Sequence, residues 1–405
     1  MADNTTSSHG AAGSLLGYVY QVEYALWEML QRSKTSATAA LALETLDDIQ
    51  FQDGDAWDLL QTKHSATPGN LTNGSTDLWR SIKVWTDVVG DPDVAEDNPG
   101  FVLITTSVAS EKTAPWYLRS GESRNVEEAA RILAETAASY ESKANEPRFQ
   151  AFLALDESAR LTMLERVVVL DGAAGITDLP DLIAREVRHA SEKRYLTALV
   201  QRLRGWWFER AVRHLKEGSG TLIHWQEIEL VIDDLREEFK TDNLPIDFLH
   251  TDHPDTDAVL AADPRFVQQL NLIAAGPTRL KVAIRDYYRA HLQRARWLDD
   301  GLLGPDELAD YERRLIDEWE HHLASIEDEV LEGLSEEQKQ ELGRGLYNQT
   351  MASAGLDIRA RCREPYVMRG SFQRLADEVR VGWHPDFERH LKDVLGVMDE
   401  VESDR

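Results

Sequence analysis

Apolar residues change their spacing several times along this chain, and the changes mark its elements. Between Gly13 and Arg32, Leu15, Val19, Val22, Leu26 and Met29 recur every three or four positions, which predicts an amphipathic helix. Ser33 to Ala37 is a turn. Ala39 to Thr45 is small and apolar and suits a buried strand, whereas Ile49 to Gln52 alternates as a half-exposed strand should. Asp53-Gly54-Asp55 supplies a turn, because Gly and Asp tolerate the positive φ of tight hairpins. Trp57 to His64 then returns, with Leu59, Gln61 and Lys63 on one face and Leu60, Thr62 and His64 on the other.

Ser65 to Ser75 is rich in Ser, Thr, Gly and Asn and reads as a loop. A second helix follows over Asp77 to Val89, with Leu78, Ile82 and Trp85 facing inward. After an acidic loop from Asp91 to Gly100, Phe101 to Val108 is an apolar run that reads as a buried central strand. Helices over Val126 to Ser142 and near Phe149 to Leu155 precede a further strand, Val167 to Leu170. This order predicts a mixed α/β sheet with helices on its faces. Beyond about residue 175 the pattern is helical, over Pro180 to Phe239 and from Asp263 onward, and Thr241 to Asp257 reads as a linker. Three regions are therefore expected: an α/β domain at 1–175, a helical connector at 176–257 and an α-helical docking or oligomerisation domain at 258–405. No internal repeat or sustained heptad pattern occurs.

Composition narrows the functional classes. No run of about 18 apolar residues exists, so no membrane span is expected. The N-terminal stretch lacks the basic and apolar regions of a secretory signal, and a cytoplasmic location is expected. One cysteine, Cys362, excludes an internal disulfide framework and a cysteine-rich zinc module; its flanking Arg361 and Arg363 could lower its pKa, though a structural role is the expectation. The formal charge of −28, from 72 acids against 44 bases, opposes a free-standing DNA binder. A nucleic-acid surface, if present, must be local.

The candidate chemistry lies in the hairpin. If it forms, Asp48 at the start of one strand lies near Gln61 and Lys63 at the end of the next. A carboxylate, an amide carbonyl and an ammonium at one sheet edge suit metal-dependent phosphodiester hydrolysis. Mg²⁺, with Mn²⁺ as substitute, would bind Asp48, with Glu44 or Asp47 as a second carboxylate and oxygens from Gln61 and the Thr62 backbone. Lys63 would orient or deprotonate water, or stabilise developing charge. His64, on the opposite strand face, is a supporting residue at most. The plainer reading is turn chemistry at Asp47-Asp48 and a solvated edge at Gln61 and Lys63.

The stretches GYVYQVEYAL, ALETLDDIQF and DLLQTKHS together resemble the N-terminal nuclease domain of bacterial anti-phage effectors. That domain is of the PD-(D/E)xK restriction-endonuclease-like superfamily shared with CBASS effector endonucleases. LTNGSTDLWRSIKVW, RLRGWWFERAVRHL, YERRLIDEWE and EPYVMRGSFQRLADEVRVGWHP resemble ABC-three-component proteins, including nuclease subunits of Lamassu systems. The resemblance implies that Asp48, Gln61 and Lys63 match the D…(E/Q)xK pattern, Glu44 an acidic position on the preceding strand, and Tyr20-Gln21 the helix signature. Gln61 stands where many members carry Glu, which removes one negative charge from the metal. The resemblance further implies a double-stranded DNA endonuclease, controlled by an SMC-like or Rad50-like ATPase and a small middle subunit. PD-(D/E)xK cores often need two sites to cut both strands, so the active form is expected to be a homo-oligomer. The alternatives are a catalytically inactive adaptor of the same complex, a nuclease for RNA or single strands, and an unrelated acidic helical regulator.

Two basic aromatic stretches admit two readings. RLRGWWFERAVRHLK (202–216) and RDYYRAHLQRARW (285–297) could stack on nucleic acid, but tryptophans in helix core with bases outside is the expected arrangement. The histidines show no zinc motif: His321-His322 and His250 with His253 lack partners at ligand spacing, and they read as surface residues. No phosphate-binding GxxxxGK[ST] loop occurs, so an ATPase function within this chain is not expected.

Overall fold

The N-terminal strands are buried in runs rather than on alternate residues: all of Ala40–Leu43, Ile49 to Phe51 and Leu59 to Thr62 are buried. A computed structural model describes residues 6–44, 48–54, 56–64, 69–91, 98–139, 141–218, 221–251, 255–327, 333–387 and 389–390, with side chains from residue 14 onward. Asp47, Asp55 and His253 lie outside the described residues. Helix α1 (Thr6–Arg32) leads into an antiparallel meander of β1 (Ala40–Leu43), β2 (Ile49–Asp53) and β3 (Ala56–Lys63). Asp53 pairs with Ala56, and Gly54 between them takes φ 62°, the left-handed value that a two-residue hairpin needs. Of the turn chemistry seen in the sequence, the Gly54 part is used as expected.

A second, two-stranded sheet joins β4 (Asn70–Leu71) to β6 (Val108–Ala109), on either side of α2 (Thr76–Gly90) and β5 (Gly100–Thr105). The apolar run at Phe101 to Val108 is thus two strands, broken at Thr106-Ser107, and the expected loop at 65–75 contains β4. Helices α3 (Ala114–Tyr117), α4 (Val126–Ser139), α5 (Glu146–Ala154) and α6 (Glu157–Glu165) follow, then β7 (Val167–Leu170). Next come α7 (Leu179–Glu186), α8 (Leu196–Glu217), β8 (Ile223–His224) and α9 (Trp225–Glu238). The main sheet has the order β7-β5-β3-β2-β1-β8. β3, β5 and β7 run parallel, and β8 closes the far edge antiparallel to β1. The sequence read as almost wholly helical between 180 and 239 therefore holds one strand.

One face of this sheet packs on α2 and its neighbours. Leu59, Phe101, Leu103, Val167 and Val169 meet Leu78, Ile82, Trp85 and the buried aromatics Trp79, Phe149 and Phe152. Trp85 stacks on Phe101 at 5.6 Å between centroids. Each such side chain stabilises the fold by about 1.5–3 kcal/mol through burial. α1 packs against β1 and β3, and also against α7 and α8. The α1–α8 packing is pinned by Trp207, whose Nε1 donates to the Val22 carbonyl at 2.7 Å, and by Arg204 on Glu23 at 2.8 Å. Arg210 pairs likewise with Glu227 at 2.7 Å. In the first basic aromatic stretch Trp207 is thus helix core and Arg204 and Arg210 are paired, while Phe208, Val212 and Leu215 are exposed.

The chain forms two compact units, 1–191 with 196–235, and 192–195 with 236–405. The region expected as a connector at 176–257 divides between them: α7, α8 and β8 belong to the first unit. Of the expected linker at 241–257, the described residues 241–251 are instead fastened within the second unit. Leu244 is buried there, and Gln293 Oε1 accepts the Asp247 N–H at 2.8 Å. That unit is helical: α10 (Thr256–Ala262), α11 (Arg265–Leu272), α12 (Pro277–Asp299), α13 (Pro305–Glu327), α14 (Glu336–Met351) and α15 (Pro365–Asp377). In the second basic stretch Trp297 is buried, with Nε1 on the Pro245 carbonyl at 2.7 Å. Arg294, also buried, faces Glu312 at 3.4 Å. Cys362 is buried as well, and burial pushes its thiol up to about 12 rather than down. No described helix is long and apolar enough to cross a membrane.

Candidate functional site

The site forms where β2 begins and β3 ends. Ile49 pairs with Leu60, so Asp48 lies one step beyond the ladder, beside Gln61. Asp48 Oδ2 accepts the Thr62 N–H at 2.8 Å and the Thr62 hydroxyl at 3.2 Å. Lys63 Nζ stands 3.4 Å from the same oxygen. Both side chains are partly exposed, 19% for Lys63 and 25% for Asp48, so water and a substrate can reach them. Gln61 shares the Leu59 face of β3 and is buried; its partner in the adjacent parallel strand is Leu103.

Three of the residues expected from the sequence, Asp48, Gln61 and Lys63, are therefore brought together. Gln21 joins them from α1, donating from Nε2 to the Asp48 backbone carbonyl. Thr62 contributes its N–H and hydroxyl to Asp48, a role not foreseen for it. His64 lies on the other face, where its ring meets Tyr20 at 4.8 Å between centroids. Burial holds the His64 imidazole below its usual range and Tyr20 above the phenol range. Tyr20 in turn donates to the Ala174 carbonyl at 3.1 Å.

Glu44 does not join the cluster through its carboxylate. It follows β1 at φ 52°, exposed, and its backbone N–H donates to the Asp48 carbonyl at 3.2 Å. Among the described residues its side chain makes no hydrogen bond or ion pair. A left-handed backbone at a non-glycine residue turns that side chain away from the strand's own alternation.

Ser81 is the participant that sequence reasoning missed. Fully buried on α2, its hydroxyl lies 2.5 Å from Gln61 Oε1 and 3.1 Å from the Asp77 carbonyl. The signal was present: Ser81 is a small polar residue on the face of α2 that otherwise presents Leu78, Ile82 and Trp85. A polar group in an apolar stripe needs a buried partner, and Gln61 is that partner.

A second grouping lies in the other unit, where Glu336, His384 and His390 place ligand-type atoms within 4.8 Å of one another. The tautomer argues against a metal there. His384 Nδ1 accepts the Asp386 N–H at 3.1 Å, so the neutral ring carries its proton on Nε2, facing Glu336 at 3.3 Å. Burial keeps His384 below the usual imidazole range.

Residues 266–391 match the family model of C-terminal domain 7 of the ABC-three component (ABC-3C) systems. That match covers about a third of the chain, all of it within the second unit. Among solved structures, the Moraxella osloensis Cap4 SAVED/CARF-domain containing receptor is similar over 69% of this chain and 68% of its own, at 14% identity and TM-score 0.36. The Acinetobacter baumannii Cap4 SAVED/CARF-domain containing receptor with the cyclic trinucleotide 3'3'3'-cAAA is similar over 68% of this chain and 59% of its own, at 14% identity and TM-score 0.35. Similarity at that level decides neither fold family nor function. No curated protein sequence matches the chain.

Proposed function

We propose that the first unit is a metal-dependent endonuclease for double-stranded DNA, and that the chain is the effector of an ABC-three-component anti-phage complex. One observation carries the reading. Lys63 Nζ sits 3.4 Å from Asp48 Oδ2 at the partly exposed ends of two inner strands, with Gln61 two residues away on the same strand face. The arrangement matches the D…QxK pattern expected of a restriction-endonuclease-like core, and the mixed sheet with helices on its faces is compatible with it.

The oxygen donors at hand are the Asp48 carboxylate, the Gln61 amide and the Thr62 backbone carbonyl; the Glu44 carboxylate, turned away by its left-handed backbone, stands outside this set. That set fits Mg²⁺, a hard ion that keeps several waters and takes one or two carboxylates, and Mn²⁺ can replace it. When bound, the ion supplies Lewis acidity at the scissile phosphate. The chain's own residues do the rest. Thr62 fixes the Asp48 carboxylate through two hydrogen bonds, and Gln21 fixes its backbone. Lys63 places a positive charge where charge develops on the phosphate oxygens. Ser81 donates to the Gln61 Oε1 and orients the amide.

In this reading an SMC-like or Rad50-like ATPase and a small middle subunit hold the nuclease until activation, with the second unit as their docking platform. Release would permit homo-oligomers whose paired sites cut both strands. The net charge of −28 fits a surface that keeps the free chain off DNA. Incubating the purified protein with plasmid DNA and Mg²⁺, beside RNA and single-stranded DNA, tests activity and substrate class together.

A second reading is favoured by the same geometry. Gln61 Oε1 is engaged by Ser81, and Lys63 closes onto Asp48, an arrangement equally suited to a dormant site in an adaptor subunit. Absence of cleavage on all three substrates, with the partner subunits present, would decide for it.

A further inference from the structure

The second unit holds a cavity of about 620 Å³ between the start of α12, the C-terminal half of α14 and the middle of α15. That volume suits a small ligand. Four guanidiniums line it, Arg279, Arg285, Arg344 and Arg369, against one carboxylate, Asp286. The balance is opposite to that of the chain, whose charge is −28. The first turn of α12, a helix of 23 residues starting at Pro277, also borders the cavity and adds the positive end of the helix dipole.

Protein groups engage few of the available donors. Arg279 Nη2 donates to Asn348 at 3.0 Å, and Arg344 Nη1 to the Ile273 carbonyl at 3.0 Å. Asp286, buried, takes Arg285 and Arg369 through their Nε atoms, at 3.0 and 2.7 Å. Each guanidinium has five N–H donors, so most of these remain for a ligand. An independent sign comes from Gln373, which is 1% exposed and lines the same cavity. Its Nε2 donates to the Tyr347 hydroxyl at 3.1 Å, while its Oε1 has no hydrogen-bond partner among the described residues. A buried acceptor without a donor is rare in a folded protein unless something else fills the site.

We infer that this cavity binds a small phosphate-bearing ligand that also carries an N–H or O–H donor for Gln373. Three surplus positive charges in forked, planar groups match a di- or triphosphate better than a single carboxylate. The cavity does not depend on the nuclease reading, and its ligand would act on the unit that matches the ABC-three-component domain.

The test is calorimetric titration of the full chain at physiological salt. The probes are inorganic pyrophosphate, ATP and GTP, with citrate as carboxylate control and a short DNA duplex as polymer control. Saturable binding of at least one phosphate probe below millimolar concentration is expected, tighter than citrate. Arg279→Gln and Arg344→Gln should each weaken it about ten-fold, the loss of one charge-assisted hydrogen bond; each also removes one hydrogen bond within the protein, so a melting curve of the unliganded variant is taken beside the titration to show that it is folded. If one variant fails to fold, the other is read. Absence of saturation by every phosphate probe, unchanged affinity in a folded variant, or tighter binding of the duplex with the same sensitivity to the variants would each overturn the assignment.

Discussion

Removing the Ser81 hydroxyl separates the support of the site from its chemistry. In Ser81→Ala the Asp77 carbonyl keeps its place in the α2 ladder, so the loss falls on Gln61, which is 4% exposed. A buried acceptor deprived of a donor costs about 1–3 kcal/mol, and the void left by one hydroxyl adds little. The variant should therefore be destabilised by about 1–2 kcal/mol, a melting-temperature loss of roughly 2–8 °C for a unit of this size. If Gln61 serves the metal, its amide then loses the hydrogen bond from Ser81 that orients it, and cleavage kcat should fall about ten-fold with KM for DNA little changed. Thermal denaturation and single-turnover cleavage read the two effects. A variant as stable and as active as the wild type would refute the account of Ser81. Lost stability with undiminished cleavage would refute the role of Gln61.

Three further outcomes are expected. In Gln61→Glu, the hydroxyl of Ser81 still donates and a second carboxylate faces the ion, so Mg²⁺ titration of cleavage should show a lower half-saturating concentration; a higher one would count against Gln61 as a ligand. His214 is held below the usual imidazole range by burial and by Arg210, and its Nε2 accepts the Leu43 N–H at 3.1 Å. The unfolded chain therefore takes up the proton first, and stability is lost as pH falls below about 6.5; His214→Gln should flatten the decline in melting temperature measured between neutral pH and about pH 5.5. Gly370 lies where α15 crosses α12, and a Cβ there would stand 2.0 Å from the Asp286 backbone oxygen. Gly370→Ala should cost about 3 kcal/mol by forcing the helices apart, which chemical denaturation of the variant would reveal.

Much of the first unit was legible because its signals are local. Period-two alternation placed Gln61 and Lys63 together on β3, and Asp53-Gly54 announced the hairpin that brings Asp48 to them. What escaped rests on long-range pairing. Ile223–His224 is a strand because β1 offers it an edge, and two residues carry no period of their own. Likewise β4 and β6 exist through each other. Glu44 was placed by its residue type near Asp48, but the positive φ that directs it elsewhere cannot be read from spacing. The boundary near 175 followed a change in texture from mixed to helical. The first unit nevertheless continues through α7 and α8, because α1 needs their apolar faces for burial. The Glu336, His384 and His390 grouping joins positions nearly fifty residues apart, beyond the reach of any ligand-spacing rule.

The central claim is that Asp48, Gln61 and Lys63 form a working phosphodiesterase site. Plasmid cleavage in Mg²⁺ by the wild type and by Lys63→Ala, with partner subunits supplied and matched melting curves, tests it most directly. The account predicts cleavage by the wild type that requires the ion, and a loss of about a hundred-fold or more in the variant without loss of fold. Cleavage that proceeds unchanged in Lys63→Ala would contradict it.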